Sequence, residues 1–302
     1  MREDSQPKPQ LFEFYILRIY MKRLVYLSGI LASCLAISTQ CGCSNRTGNA
    51  ASDSSLILKN VIYSDSVCVD SSSATCKISV EYPEAGPQPL TDSVRQWIAG
   101  LMYRDAFSGY DRKFDLTSGN ESGQQLVNDY GDSLLASARG QLVELDSLFA
   151  VRSSLEYESS IKMIYSTPKL VTFSSTVYVY LGGAHGGTTG VNCTFDAATG
   201  TSLGWNIFVP GSEEKLREIV SEGLKTQFFN TREKGESIQD MLLVDADSIP
   251  LPATQPYFMA DGLHFLYQQY EIAPYSEGMP GCVIPYAGIS DLLYPAVSAL
   301  LP

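Results

Sequence analysis

The sequence predicts an α+β fold: an antiparallel sheet meander with packed helices, in two sub-domains that form one unit. Three observations carry this reading. Alternating runs of β-branched and aromatic residues gather at 56–83 and again at 153–195. Two helical patterns lie together between these runs instead of following each strand. A further helix then precedes a set of short strands. Runs of strands and runs of helices, without strict β-α-β alternation, argue for α+β.

Residues 1–43 read as an over-extended start plus an export signal. Met21-Lys22-Arg23 is a short basic region, an apolar run covers 24–37, and small polar residues lead to Cys41-Gly42-Cys43. That is the layout of a secretory signal, with Met21 as the start, and it is too short for a membrane span. The cysteines point to a lipoprotein with its lipid on Cys43, which follows Gly42, or on Cys41 or Cys34. An ordinary cleaved signal is the rival. Residues 44–55, rich in Ser, Asn, Gly and Ala, read as a flexible tether. The expected place is the cell envelope, periplasmic or at the outer membrane, held by a lipid anchor.

Residues 56–69 and 77–83 alternate and read as paired strands. A loop over 84–89 leads to Thr91 or Asp92 as the cap of a helix. The apolar stripe Val94, Trp97, Ile98, Leu101 and Met102 is spaced to pack on a sheet face. Residues 110–123 read as a loop. A second helix covers 123–149, with Gly131 and Gly140 as candidate breaks, each costing about 1 kcal/mol against Ala. Residues 153–166, 170–181 and 188–195 read as an antiparallel meander, and Asp196 to Gly200 as a tight turn. Ser212 caps a helix that opens with Glu213 and Glu214, as the helix dipole prefers. A short helix near 238–243, a hairpin about Asp261-Gly262, a strand at 282–284 and a helical turn over 286–293 complete the chain. The expected division is an N-terminal α+β domain over 56–175 and a C-terminal α+β domain over 176–302.

The chain carries 21 Lys and Arg against 33 Asp and Glu, a net charge of −12. Residues 1–43 hold five basic and three acidic side chains, so −14 remains beyond them. Such a chain repels nucleic acid and anionic lipid and attracts cationic partners. Cys68 and Cys76 flank a turn between two strand-like runs, so a disulfide across that hairpin is expected in an oxidising compartment. Cys193 and Cys282 lie in apolar strand patterns, as buried thiols do.

Two stretches stand out. In the first, Val177-Tyr178-Val179-Tyr180-Leu181 stops at Gly182-Gly183-Ala184-His185-Gly186-Gly187, where four glycines bracket one of only two histidines. In the second, Tyr267-Gln268-Gln269-Tyr270-Glu271-Ile272-Ala273-Pro274-Tyr275 leads to Ile284-Pro285-Tyr286. We expect the two to meet. Together with Asp196, Thr199-Gly200 and Asp261-Gly262-Leu263, they make the chain resemble the C-terminal domain of RsiV-like proteins. That family includes the extracellular part of the anti-sigma-V factor and a module of some peptidoglycan deacetylases. The resemblance covers roughly residues 180–293. Residues 56–175 more weakly resemble its usual companion domain.

The resemblance implies binding rather than chemistry, with Gly182, Gly183, His185, Gly186, Tyr270, Glu271, Tyr275 and Tyr286 as the motif or ligand-contacting residues. The best-known member senses c-type lysozyme outside the cell and is then cleaved to release a sigma factor. At most 20 residues precede Met21 here and no deacetylase domain precedes Pro302, so sigma-factor regulation and deacetylation are not expected. Recognition of lysozyme or of peptidoglycan is.

The residues themselves leave alternatives open. His185 and Glu271 could form a general base and its orienting carboxylate, helped by a tyrosine hydroxyl, for glycan hydrolysis. Equally, Glu271 could accept a hydrogen bond from His185 that only fixes a turn. The tyrosines suit sugar or protein recognition, and equally a core. No nucleophile sits in a G-x-S-x-G setting, no C-x-x-C pair occurs, and no Lys-Ser/Thr follows the glycines as in a phosphate loop. No metal and no cofactor is expected, because His185 and His264 lie at no ligand spacing.

Overall fold

The computed structural model describes residues 55–103, 122–149, 152–229 and 237–302. The segment 1–43 expected to carry the export signal, all but the last residue of the expected tether over 44–55 and most of the loop expected over 110–123 lie outside the described residues.

Strand β1 (Ile57–Val69) pairs with β2 (Ser72–Ala85) through a two-residue turn at Asp70-Ser71. Asp70 takes φ 50°, which short polar side chains tolerate. β2 thus begins five residues earlier than the alternation predicts. Helix α1 (Gln88–Tyr103) also starts early. Thr91 is already inside its first turn, its amide donating to Pro87 O at 2.9 Å, and Pro89 is tolerated there because first-turn amides have no helical partner. Neither Thr91 nor Asp92 is the cap. Helix α2 (Gly123–Phe149) passes through Gly131 and Gly140 unbroken. Gly131 lies against the ring of Tyr63, where any Cβ would overlap it, and the Tyr63 hydroxyl donates to Asp132 Oδ1 at 2.8 Å. That glycine serves close approach, not a break.

Strands β3 (Ser154–Ser166), β4 (Leu170–Tyr180), β5 (Gly187–Asp196) and β6 (Ser202–Leu203) complete a six-stranded sheet in the order β1 to β6. β3 to β6 form the expected antiparallel meander, but β2 and β3 run parallel. The crossover through α1 and α2 brings the chain back to the end from which β2 started, which an antiparallel hairpin cannot do.

The two helices cover one face of this sheet. Val94, Ile98 and Met102 of α1 are buried there, and Trp97 sets its ring 6.4 Å from Phe173 and 6.3 Å from Phe195. The other face carries a second layer. It contains α3 (Glu213–Gly223), a three-stranded sheet of β7 (Tyr257–Met259), β8 (Gly262–Leu266) and β9 (Gly281–Ile284), and α4 (Pro295–Ser298), which the sequence patterns did not anticipate. Two fully buried threonines dock it. Thr172 Oγ1 donates to Phe258 O at 2.8 Å, Phe258 N donates to Thr194 Oγ1 at 2.9 Å, and the two hydroxyls lie 2.8 Å apart. Every polar atom in that ring is satisfied, as burial requires.

Hydrophobic side chains accordingly divide into two cores, one under each face. The boundary expected after residue 175 falls inside β4, in a continuous sheet whose first β4 residue, Leu170, already belongs to the second core. Ser212 stands before α3 as expected, but its hydroxyl donates to Val209 O at 2.7 Å instead of accepting from the helix.

The expected Cys68–Cys76 disulfide is not formed. Register sets Cys68 across from Ser73 and Cys76 across from Asp65, and strand alternation sends the two thiols to opposite faces. Cys68 is exposed, whereas Cys76 is buried under the helices, its thiol pushed up to about 12 mainly by desolvation. Cys193 and Cys282 are buried and are likewise raised to about 12 by burial.

Candidate functional site

β4 ends at Tyr180, and the chain turns through residues 181–186 before β5 begins. Gly182 and Gly183 take φ 87° and 96°, conformations an L side chain rarely adopts. The Tyr180 hydroxyl donates to Gly183 O at 3.0 Å and pins the turn. A Cβ on Gly186 would come within 2.5 Å of the Tyr178 ring, so the turn lies flat on that ring only because position 186 is glycine. The result is an exposed His185 at the tip.

The second stretch leaves β8 and reaches this tip. Tyr267 is fully buried and donates its hydroxyl to Pro250 O at 2.7 Å. Gln268 closes the free edge of β5: its Oε1 accepts from Gly190 N at 2.9 Å and its Nε2 donates to Gly190 O at 2.8 Å. Gln269 Oε1 accepts from Thr188 N at 2.8 Å. Glu271 accepts from two backbone amides, Ala253 N at 2.6 Å and Gln268 N at 2.7 Å. Between them Tyr270 points outward, 52% exposed, with φ 65°. A large side chain in the left-handed region is uncommon and strained.

The two marked stretches therefore meet. The His185 ring stacks on Tyr275 with centroids 3.8 Å apart and planes 19° apart. Tyr270 lies 6.4 Å from His185 and 5.8 Å from Tyr275. His185 Nδ1 is 3.0 Å from Gly186 O. A carbonyl only accepts, so Nδ1 carries the proton. Nε2 is then left to accept from the Tyr270 hydroxyl, 3.3 Å away.

The structure does not pair His185 with Glu271, in either of the roles the sequence allowed. Glu271 is spent on the backbone, and the histidine's partners are Gly186 and Tyr270. Nor does Tyr286 join the cluster. Its hydroxyl donates to Met259 O at 2.5 Å, and its ring stacks 6.1 Å from Phe258 in the second core. His264 sits elsewhere too, its Nε2 2.7 Å from Asp261 Oδ1. That hydrogen bond, first among the causes, holds the Asp261 carboxyl below its ordinary range. Among the described residues no three of His, Cys, Asp or Glu converge as a metal would require.

Sequence reasoning missed part of the surface. Tyr178 and Tyr180 share one face of β4 with Glu158 and Glu156 of β3 directly opposite them. Desolvation and then the Glu156 carboxylate push the Tyr178 phenol up, with Tyr275 and Glu158 adding to it. Alternation shows that these tyrosines share a face. It does not show that the second layer stops short of them.

A family described as a protein of unknown function, DUF3298, matches residues 206–287, a span that contains the Tyr270–Tyr275 loop but not the glycine-histidine turn. A solved DUF3298-family structure from Bacteroides fragilis NCTC 9343 is similar with TM-score 0.67 and 18% identity, covering 82% of this chain and 98% of that one. A DUF3298-family protein from Pseudomonas aeruginosa PAO1 is similar with TM-score 0.53 and 16% identity, covering 82% of this chain and 97% of that one. At such identities the likeness is one of fold. No curated protein matches the chain.

Proposed function

We propose that this chain is an exported, lipid-anchored binding or sensor-like protein of the RsiV-like kind, not an enzyme. Its ligand is a cationic protein such as a c-type lysozyme, or else a peptidoglycan component. One observation carries the reading: the glycine turn and the Gln268–Tyr275 loop together present His185, Tyr270 and Tyr275 as a ring stack, while the nearest marked carboxylate, Glu271, is tied to two amides. Rings held at a surface by a stiff backbone suit recognition, since little side-chain freedom is lost on contact. The chain's charge of −12 favours a basic partner over an acidic one.

The hydrolytic alternative was built on a carboxylate orienting His185, and Glu271 does not fill that role because it accepts from two backbone amides. The test is titration calorimetry of the full chain with a c-type lysozyme at physiological salt, beside a basic protein of matched charge. Saturable binding of lysozyme alone is the expected result. Equal binding of both proteins defeats the specific reading. Loss of cell-wall turnover in a His185→Ala strain of unchanged protein level would revive the enzymatic one.

A further inference from the structure

The ring stack borders a part of the large sheet where Tyr178 and Tyr180 are half-buried and one side of the Tyr178 ring is covered by Gly186. Register sets Glu156 opposite Tyr180 and Glu158 opposite Tyr178, and alternation puts all four side chains on the face away from α1 and α2. Both glutamates are exposed. Lys77 already shows what this surface attracts, its ammonium 3.0 Å from Glu158 Oε1, with both side chains more than half exposed. Such an exposed pair contributes little and is easily displaced.

A carboxylate beside a phenol ring matches one kind of cation best. A guanidinium is planar, so it can stack on the ring while two parallel N–H groups meet the carboxylate. An ammonium is a compact, strongly hydrated point charge with no flat face to lay on a ring. Peptidoglycan strands bring carboxylates of their own, which this face repels.

We propose that the surface formed by Glu156, Glu158, Tyr178 and Tyr180, beside the His185–Tyr275 stack, docks an arginine side chain of a basic partner protein. The inference rests on the binding reading above and narrows it from net charge to guanidinium chemistry.

The experiment is calorimetry on the full chain with hexa-arginine, hexa-lysine, a soluble peptidoglycan fragment and a c-type lysozyme. Hexa-arginine is expected to bind about ten-fold more tightly than hexa-lysine and to compete with lysozyme. Glu156→Gln and Tyr180→Leu should each remove most of that preference, and Glu156→Gln should leave the thermal midpoint unchanged because the residue is exposed. Equal affinity for the two peptides would overturn the inference, and so would a preference that survives both substitutions. A peptidoglycan fragment that binds where hexa-arginine does not would overturn it in favour of a glycan. Lysozyme binding that excess hexa-arginine leaves untouched sinks the docking surface but spares the binding reading. Selective hexa-arginine binding without lysozyme binding does the reverse.

Discussion

Tyr270 and Glu271 are neighbours in sequence and opposites in structure. Glu271 turns inward and accepts from Ala253 and Gln268, so it staples the loop to the second layer. Tyr270 turns outward on a strained backbone and offers its ring and hydroxyl to His185 and to solvent. The loop thus has a holding side, made by Gln268, Gln269 and Glu271, and a presenting side, made by Tyr270 and Tyr275. The polar residues of a marked motif need not be its chemistry. Here they satisfy backbone amides, and the aromatic residues remain for contact.

Substitutions on the two sides of the loop should have opposite consequences. Glu271→Ala leaves two amides without their acceptor and should cost about 3 kcal/mol. Denaturant unfolding would show it, and a loss below about 1 kcal/mol would mean that water replaces the staple. Gln268→Ala uncovers the β5 edge at Gly190 and should cost about 1.5 kcal/mol. Raised self-association would accompany that loss, visible by sedimentation, because an open strand edge invites pairing. Tyr270→Asn should move the other way. Asn tolerates the left-handed region, so stability should rise by about 0.5 kcal/mol while lysozyme or hexa-arginine binding falls. A substitution that destabilises instead would place Tyr270 on the holding side.

The second histidine sharpens the contrast with the smallest effect. His264 is clamped to Asp261, whose folded-state carboxyl is held below its ordinary value. A carboxyl depressed on folding adds stability above its unfolded value near pH 4, and that stability is lost as pH falls through the lower folded value. Asp261→Asn should therefore flatten the acid limb of a stability–pH curve below about pH 4 and leave binding unchanged.

Much of the fold was legible because each element carries its own period. The 27 residues of α2 coincide with the predicted range, β1, β3, β4, β5 and β9 fall within a residue or two of theirs, and β7 and β8 form the hairpin expected about Asp261-Gly262. What misled were signals whose meaning depends on a partner. Gly131 reads locally as a break, yet Tyr63 lies against it. Ser212 stands where a cap belongs, yet its hydroxyl finds Val209 O. Cys68 and Cys76 are near in sequence, yet an even spacing of eight residues, interrupted by a two-residue turn, puts them on opposite faces of the hairpin. For the site, the two marked stretches stood out by their residues and were expected to meet, as they do, while the fate of Glu271 was not legible.

By itself the sequence determined the class of fold, the element order, the acidity and the residues that punctuate the chain, because glycine, proline and hydrophobic period act within a few residues. Which strand edge is closed, which carboxylate is engaged and which rings meet come from tertiary packing. The closed edge and the ring cluster depend on hydrogen bonds between residues 78 to 85 positions apart, such as Gln268 to Gly190 and Tyr270 to His185. No local pattern encodes such a distance. It is set when the second layer packs on the threonine pair of the large sheet.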